Sequence, residues 1–277
     1  MQLQGKIAFI GGGAMGEAII GSLIRDGLVE AGQICVSEPV EARRQALHSA
    51  YGVATETDNS RAAADASVVV LAVKPQVLGI VLPDLRGRLA PDALILSIMA
   101  GVRISTLQNG LGHAKIVRSM PNTPAQVGKG MTVWTATDAV SESDRSTAQA
   151  ILEAMGQALY VQEEHYLDAA TGLSGSGPGF VYLLLEALID AGVHVGFSRD
   201  QAQQMAVQTV EGSVALLRQT GQHPAELRNR VTSPAGTTAA GTLVLEQRAV
   251  RAALIEAVDA AYRRSKALGD ASEEADS

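Results

Sequence analysis

The stretch KIAFIGGGAMGEAII (residues 6–20) sets Gly11, Gly13 and Gly16 in G-x-G-x-x-G spacing between an apolar run and an amphipathic pattern. Alone, that spacing could mark a tight turn. Where a first strand turns into the first helix of a βαβ unit, it is a strong mark of a dinucleotide-binding loop. Gly11 then permits the turn, Gly13 lets the backbone approach a pyrophosphate, and Gly16 lets the helix pack on its strand. The free N–H groups of the helix start, around Ala14 and Met15, face the anion.

The rest of the first half fits that beginning. The runs KIAFI (6–10), QICVS (33–37), VVVLAV (68–73), ALILSI (93–98) and KIVRS (115–119) are rich in Val and Ile and apolar on both faces. Strands of a covered parallel sheet have that pattern. Met15, Ala18, Ile19, Leu23 and Ile24 recur at helical spacing, with Gly27 as a C-cap. MTVWTA (131–136) and ALYVQ (158–162) read as further strands around a helix at 141–155, with Trp134 a packing residue. The expected fold is α/β, a Rossmann-type doubly wound sheet over 1–164.

Beyond residue 165 the strand signal fades. The segments 178–196, 199–221 and 237–269 read as helices, with a shorter one in HPAELRNRV. An all-helical domain over 165–270 follows from this, serving dimerisation and substrate binding. The small, acidic stretch 271–277 is expected to be a disordered, frayed tail. Helix 178–196 is apolar nearly all round, which suits burial inside a homodimer.

The net charge of −7 argues against nucleic-acid or anionic-membrane partners. FVYLLLEALI (180–189) is too short to span a bilayer, and the N-terminal apolar run is too short for a signal peptide. Cys35 is the only cysteine, so no disulfide forms within one chain. A reducing, cytoplasmic location is expected. The five histidines, at 48, 113, 165, 194 and 223, form no pair at metal-ligand spacing, and no metal is expected.

Ligands of an open α/β sheet sit beyond the carboxyl ends of its strands. Ser37 and Glu38 end the second strand, where a carboxylate accepts from ribose hydroxyls and repels a 2′-phosphate. This leans toward NADH without excluding NADPH. Arg43 and Arg44 follow, either solvated or softening that repulsion. Val73, Lys74 and Pro75 end one later strand, and Ala100 and Gly101 follow another; Lys74 either faces a ligand or is solvated. Two helix starts combine small residues with hydroxyls: GLSGSGPGF (172–180), containing Ser176 and Gly177, and SPAGTT (233–238). Each is an ordinary cap or an anion-receptive site. Two of them beside a nicotinamide describe a pocket for a small carboxylate, with Thr237 and Thr238 adding hydroxyls.

These motifs, with LAVKPQ (71–76), MPNTP (120–124) and VTSPAGTTAAG (231–241), resemble the pyrroline-5-carboxylate reductase family over nearly the full length. The resemblance implies reduction of a cyclic imine, 1-pyrroline-5-carboxylate, to L-proline with NADPH or NADH, the final step of proline synthesis. It also implies interlocked helical domains in dimers, often in rings of dimers. Asn59, Lys74 and Ala100 would contact the cofactor. Glu164, Ser233, Gly236, Thr237 and Thr238 would surround the substrate, with Thr238 the catalytic residue. The chain departs from the family at Gly179-Phe180, where Ala-Tyr is usual, and at Ala235, where a second glycine is usual. Arg230 stands where some members carry an asparagine that reaches the cofactor.

The chemistry agrees with hydroxyls and amides as the polar groups. A protonated imine is already electrophilic, so holding two molecules in register is the main task. A 3-hydroxyacid dehydrogenase would need an acid–base lysine in the helical half. Of the lysines at 6, 74, 115, 129 and 266, only Lys266 lies there, in a polar turn with Arg263 and Arg264. A non-catalytic NADP-sensing protein would keep the glycine loop and not need SPAGTT.

Overall fold

The computed structural model describes residues 2–276, with side chains described as far as residue 270. The first half alternates strands and helices: β1 (Lys6–Ile10), α1 (Ala14–Arg25), β2 (Ile34–Ser37), α2 (Glu41–Tyr51), β3 (Ala54–Glu56), α3 (Asn59–Ala63), β4 (Ala66–Leu71), α4 (Leu78–Leu85), β5 (Leu94–Ser97), α5 (Ile104–Leu111), β6 (Ile116–Met120), β7 (Gly130–Ala136), α6 (Glu142–Glu153) and β8 (Gly156–Tyr160). They form one sheet of order β3-β2-β1-β4-β5-β6-β7-β8. The first six strands are parallel, and β7 runs antiparallel to β6. This is the Rossmann topology, with its switch point between β1 and β4.

Alternation along the strands fills both sides of the sheet. Ile7 and Phe9 point into one core with Ile19, Leu23 and Trp134. Ala8 and Ile10 point into the other with Leu71, Leu85 and Leu107. The period-2 geometry of a strand makes that division, and it explains why β1, β2 and β5 read as continuous apolar runs. Burial raises the thiol pKa of Cys35, as suits an inert core cysteine.

After β8 come α7 (Tyr166–Ala170), one π-helical turn (Thr171–Gly175), α8 (Gly177–His194), α9 (Arg199–Thr220), α10 (Pro224–Arg230), α11 (Thr237–Gln247) and α12 (Val250–Asp276). The expected single helix 237–269 is therefore two. It breaks at Ala249, which takes φ +55° with no glycine or proline to announce it. The last helix also continues through the acidic stretch expected to be a frayed tail, as far as Asp276. The three-residue edge strand β3 was not expected, because ATE carries no apolar run.

The chain forms two compact units, residues 1–176 with 260–277, and residues 177–259. This division differs from a boundary at 164/165 for a physical reason. Leu167 and Ala170 of α7 are buried in the first unit, and the Ser265 hydroxyl donates to Asp168 at 2.8 Å. Within the second unit α8 packs on α9, where Gly192 leaves no room for a Cβ against Ala202. No residue of α8 is buried, and Tyr182 and Leu183 are more than three-fifths exposed.

The helical run Tyr166–His194 spans 29 residues, longer than the apolar stretch 180–189 within it. Among the described residues it is the one run that length and composition alone would allow to cross a membrane.

Candidate functional site

The glycine loop connects β1 to α1 as its spacing predicts. Gly11 has φ +101°, and a Cβ there would lie 2.7 Å from the Ala72 carbonyl oxygen. A Cβ at Gly16 would lie 2.8 Å from the Gly11 carbonyl oxygen, so the close helix–strand approach is real. Gly13 is different, because a Cβ there would meet nothing within 4 Å. Gly13 is also the N-cap of α1, and no side chain caps that helix. The amides of Ala14, Met15 and Gly16 thus begin an α-helix with open space before them, which fits a dinucleotide pyrophosphate.

Ser37 and Glu38 end β2 beside this loop. Glu38 is nearly buried; its Oε2 accepts from Gly12 N–H and its Oε1 from Val40 N–H, both at 3.0 Å. Each oxygen keeps a lone pair for a ribose hydroxyl. Arg44 donates to the carbonyl oxygens of Glu38 and Pro39, at 2.7 and 2.8 Å. Arg43 donates to the Gly12 carbonyl at 2.6 Å and to Glu17 at 2.5 Å. Both arginines therefore have fixed partners in the protein.

Asn59 opens α3, accepting from the Ser37 hydroxyl at 2.7 Å and donating to Asp84 at 3.0 Å. Val73, exposed Lys74 and Pro75 follow β4, and Ala100 and Gly101 follow β5. Pro75, Gln76, Ala100, Gly101, Thr106 and Leu268 line a cavity of about 480 Å³ beyond those strand ends. All the expected cofactor residues thus gather at the carboxyl edge of β1, β2, β4 and β5.

Glu164 precedes α7 and is tied to the same edge. Its Oε1 accepts from Ile104 N–H at 2.8 Å and from the Arg118 guanidinium at 2.6 Å. Arg118 lies inside β6 and is 3% exposed, with Asp168 as a second acid 3.9 Å away. A charge buried in a sheet needs such partners. Arg103, Arg118, Glu164, Asp168 and Lys266 line an adjoining cavity of about 330 Å³. Sequence reasoning missed Arg118 and Asp168, although an arginine inside the apolar run KIVRS was a usable signal.

The remaining residues lie at or beyond the division between the units. Ser176 ends the first unit and Gly177 begins α8 in the second. Ser233, Gly236, Thr237 and Thr238 lie together in the second unit, where Gly236 is the N-cap of α11 and no side chain caps that helix. Among the described residues, the Ser233, Thr237 and Thr238 hydroxyls make no internal hydrogen bond. A Cβ at Gly236 would run into the Ser233 hydroxyl, so a larger residue there would push that hydroxyl aside. Ala235 holds φ +59°, a left-handed conformation that costs a non-glycine residue about 1 kcal/mol. A glycine at this position would adopt that conformation without the cost.

Two family profiles match the chain: pyrroline-5-carboxylate reductase dimerisation over residues 164–268, and NADP oxidoreductase, coenzyme F420-dependent, over residues 6–101. The chain is 47% identical to a pyrroline-5-carboxylate reductase of Synechocystis sp., covering 95% of this chain and 98% of that one. Against the Escherichia coli protein of the same name it is 40% identical, covering 96% and 99%. A Coxiella burnetii pyrroline-5-carboxylate reductase superposes with a TM-score of 0.91 at 36% identity, covering 96% and 99%. A Plasmodium falciparum pyrroline carboxylate reductase with NADP bound does so at 0.88 and 31% identity, covering 97% and 100%.

Proposed function

This chain belongs to the pyrroline-5-carboxylate reductase family, and we propose on that premise how its own residues divide the work. The protein reduces 1-pyrroline-5-carboxylate to L-proline, the last step of proline biosynthesis, at the expense of NAD(P)H. When bound, the nicotinamide supplies a hydride to the imine carbon. The chain's task is to hold two ligands in register and keep the imine oriented.

The observation that carries this reading is the start of α11, which no side chain caps, with three hydroxyls that lack internal partners among the described residues. Its amides near Gly236 and Thr237 suit a carboxylate, and Thr238 suits the ring nitrogen. Glu164, Ser176, Gly177 and Ser233 complete the proposed substrate set. Assaying dinucleotide oxidation with and without pyrroline-5-carboxylate, and measuring proline formed, tests the reading. Cofactor binding without turnover would instead mark a sensing protein.

For the cofactor, we propose a preference for NADH. Glu38 is held by two backbone amides and cannot swing away from a 2′-phosphate, and Arg43 and Arg44 already have partners. The other proposed contacts are the glycine loop, Ser37, Asn59, Val73, Lys74, Pro75, Ala100 and Gly101. Glu38→Ser is expected to move the ratio of NADPH to NADH efficiencies upward by about tenfold or more, the value of a charged hydrogen bond. An unchanged ratio would show that Glu38 does not read the ribose.

The protein is a homo-oligomer built through its dimerisation domain. On α8, Val181, Tyr182, Leu183, Leu184 and Leu188 are each more than two-fifths exposed in one chain. Burying a large apolar side chain contributes about 1.5–3 kcal/mol, so this face favours a second copy over water. We propose a cytoplasmic dimer that further closes into a ring of dimers. Light scattering of active enzyme at low concentration should give at least twice the chain mass; the mass of one chain would contradict this.

A further inference from the structure

We propose that Arg43 is a clamp on the glycine loop, a positioning residue for dinucleotides in general and not a reader of the 2′-phosphate. It rests on the dinucleotide site described above and concerns a different residue from the one that sets the preference. Both backbone groups of Gly12 are tied by side chains from the β2–α2 side of the loop. The Gly12 N–H donates to Glu38 Oε2 at 3.0 Å, and its carbonyl accepts from Arg43 Nε at 2.6 Å. The middle residue of the loop is thereby fixed between Gly11 and Gly13 before any ligand arrives. Leu47 closes the remaining side, since a Cβ at Gly12 would lie 2.6 Å from its Cδ1.

The second arm of the guanidinium reaches Glu17, in the first turn of α1, at 2.5 Å. The Tyr51 hydroxyl donates to the other oxygen of that carboxylate at 3.2 Å. A carboxylate stabilises a helix start, but here it competes with the pyrophosphate for the same N-terminal field. Arg43 neutralises Glu17 and, with Tyr51, holds it to one side. A single arginine thus preserves the loop conformation and offsets the nearest negative charge. Both effects act on the pyrophosphate, which NADH and NADPH share.

The experiment uses full-length protein in its native assembly and reads the Kd of NADH and of NADPH separately, from the fluorescence of the bound dinucleotide. Arg43→Met is expected to raise both constants about tenfold, with their ratio unchanged within about twofold. Arg43→Lys, which keeps a donor for the Gly12 carbonyl, should recover part of the loss for both ligands. Adding Glu17→Gln to Arg43→Met should also recover part, because the uncompensated charge is gone. A loss confined to NADPH would overturn the proposal and make Arg43 a phosphate reader. Unchanged constants with a lowered melting temperature would overturn it too, leaving Arg43 a structural residue of α2. If Arg43→Met does not fold, Arg43→Lys decides between the same outcomes. A wild type that binds neither dinucleotide would instead refute the cofactor site, and an unchanged ratio in Glu38→Ser would refute only the preference.

Discussion

Replacing Thr238 by alanine is expected to slow turnover by roughly tenfold to a few hundredfold while leaving the protein folded and cofactor binding intact. The estimate follows the loss of one positioned hydrogen-bond donor at a reacting centre. Thr238 is the second residue of α11, and alanine is compatible with that helix, so the backbone amides stay in place. Its hydroxyl has no internal partner among the described residues, so its removal leaves no protein group unsatisfied. A threonine acting only as a cap would behave differently, costing about 1 kcal/mol of stability and little rate. The helix is capped by Gly236 without any side-chain bond, which counts against that role. Thermal melts and steady-state kinetics on one preparation separate the two. Near-normal turnover with a lowered melting temperature would remove Thr238 from the reaction.

Gly13→Ala is the second substitution with a large expected effect, and its interest lies in the contrast with Gly11. The backbone at Gly13, φ −67° and ψ 180°, accepts any L-residue, and a Cβ there meets no protein atom within 4 Å. Stability should therefore change by no more than about 1 kcal/mol, the cost of alanine at an N-cap. In the proposed cofactor site that open space receives the pyrophosphate, so efficiency with either dinucleotide should fall on the order of a hundredfold. Gly11→Ala should instead damage folding, since it forces a Cβ onto the Ala72 carbonyl at a positive φ. A normal cofactor KM in Gly13→Ala would mean that the ligand does not come close to this residue.

The two substitutions also show what could be read without coordinates. G-x-G-x-x-G at a strand-to-helix turn assigns each glycine a distinct physical task, and the structure shows the turn at Gly11 and the close packing at Gly16. The apolar runs of β1, β2, β4, β5 and β6 were legible because a strand covered on both faces is apolar at most of its positions, polar residues such as Arg118 of β6 being the exceptions. The edge strand β3 was not, because the alternation that marks a strand comes from burial it lacks. The break at Ala249 was hidden for a related reason, as alanine is a helix former that takes the left-handed conformation only where the surrounding chain demands it.

By itself, the sequence determined the Rossmann class, the helical second half and the residue types proposed to meet a nicotinamide dinucleotide and a small carboxylate. These are local properties: period, glycine spacing and hydroxyls at helix starts act over a few residues and are written in order along the chain. Tertiary structure alone decided which charges are neutralised. Arg118 from β6 meets Glu164 across 46 residues, and Arg43 from α2 meets the Gly12 carbonyl across 31. It also returned residues 260–276 to the first unit, where Ser265 meets Asp168 across 97 residues. Such partners depend on strand order and on which residues burial forces to share a low-dielectric site, and neither leaves a periodic trace in the chain.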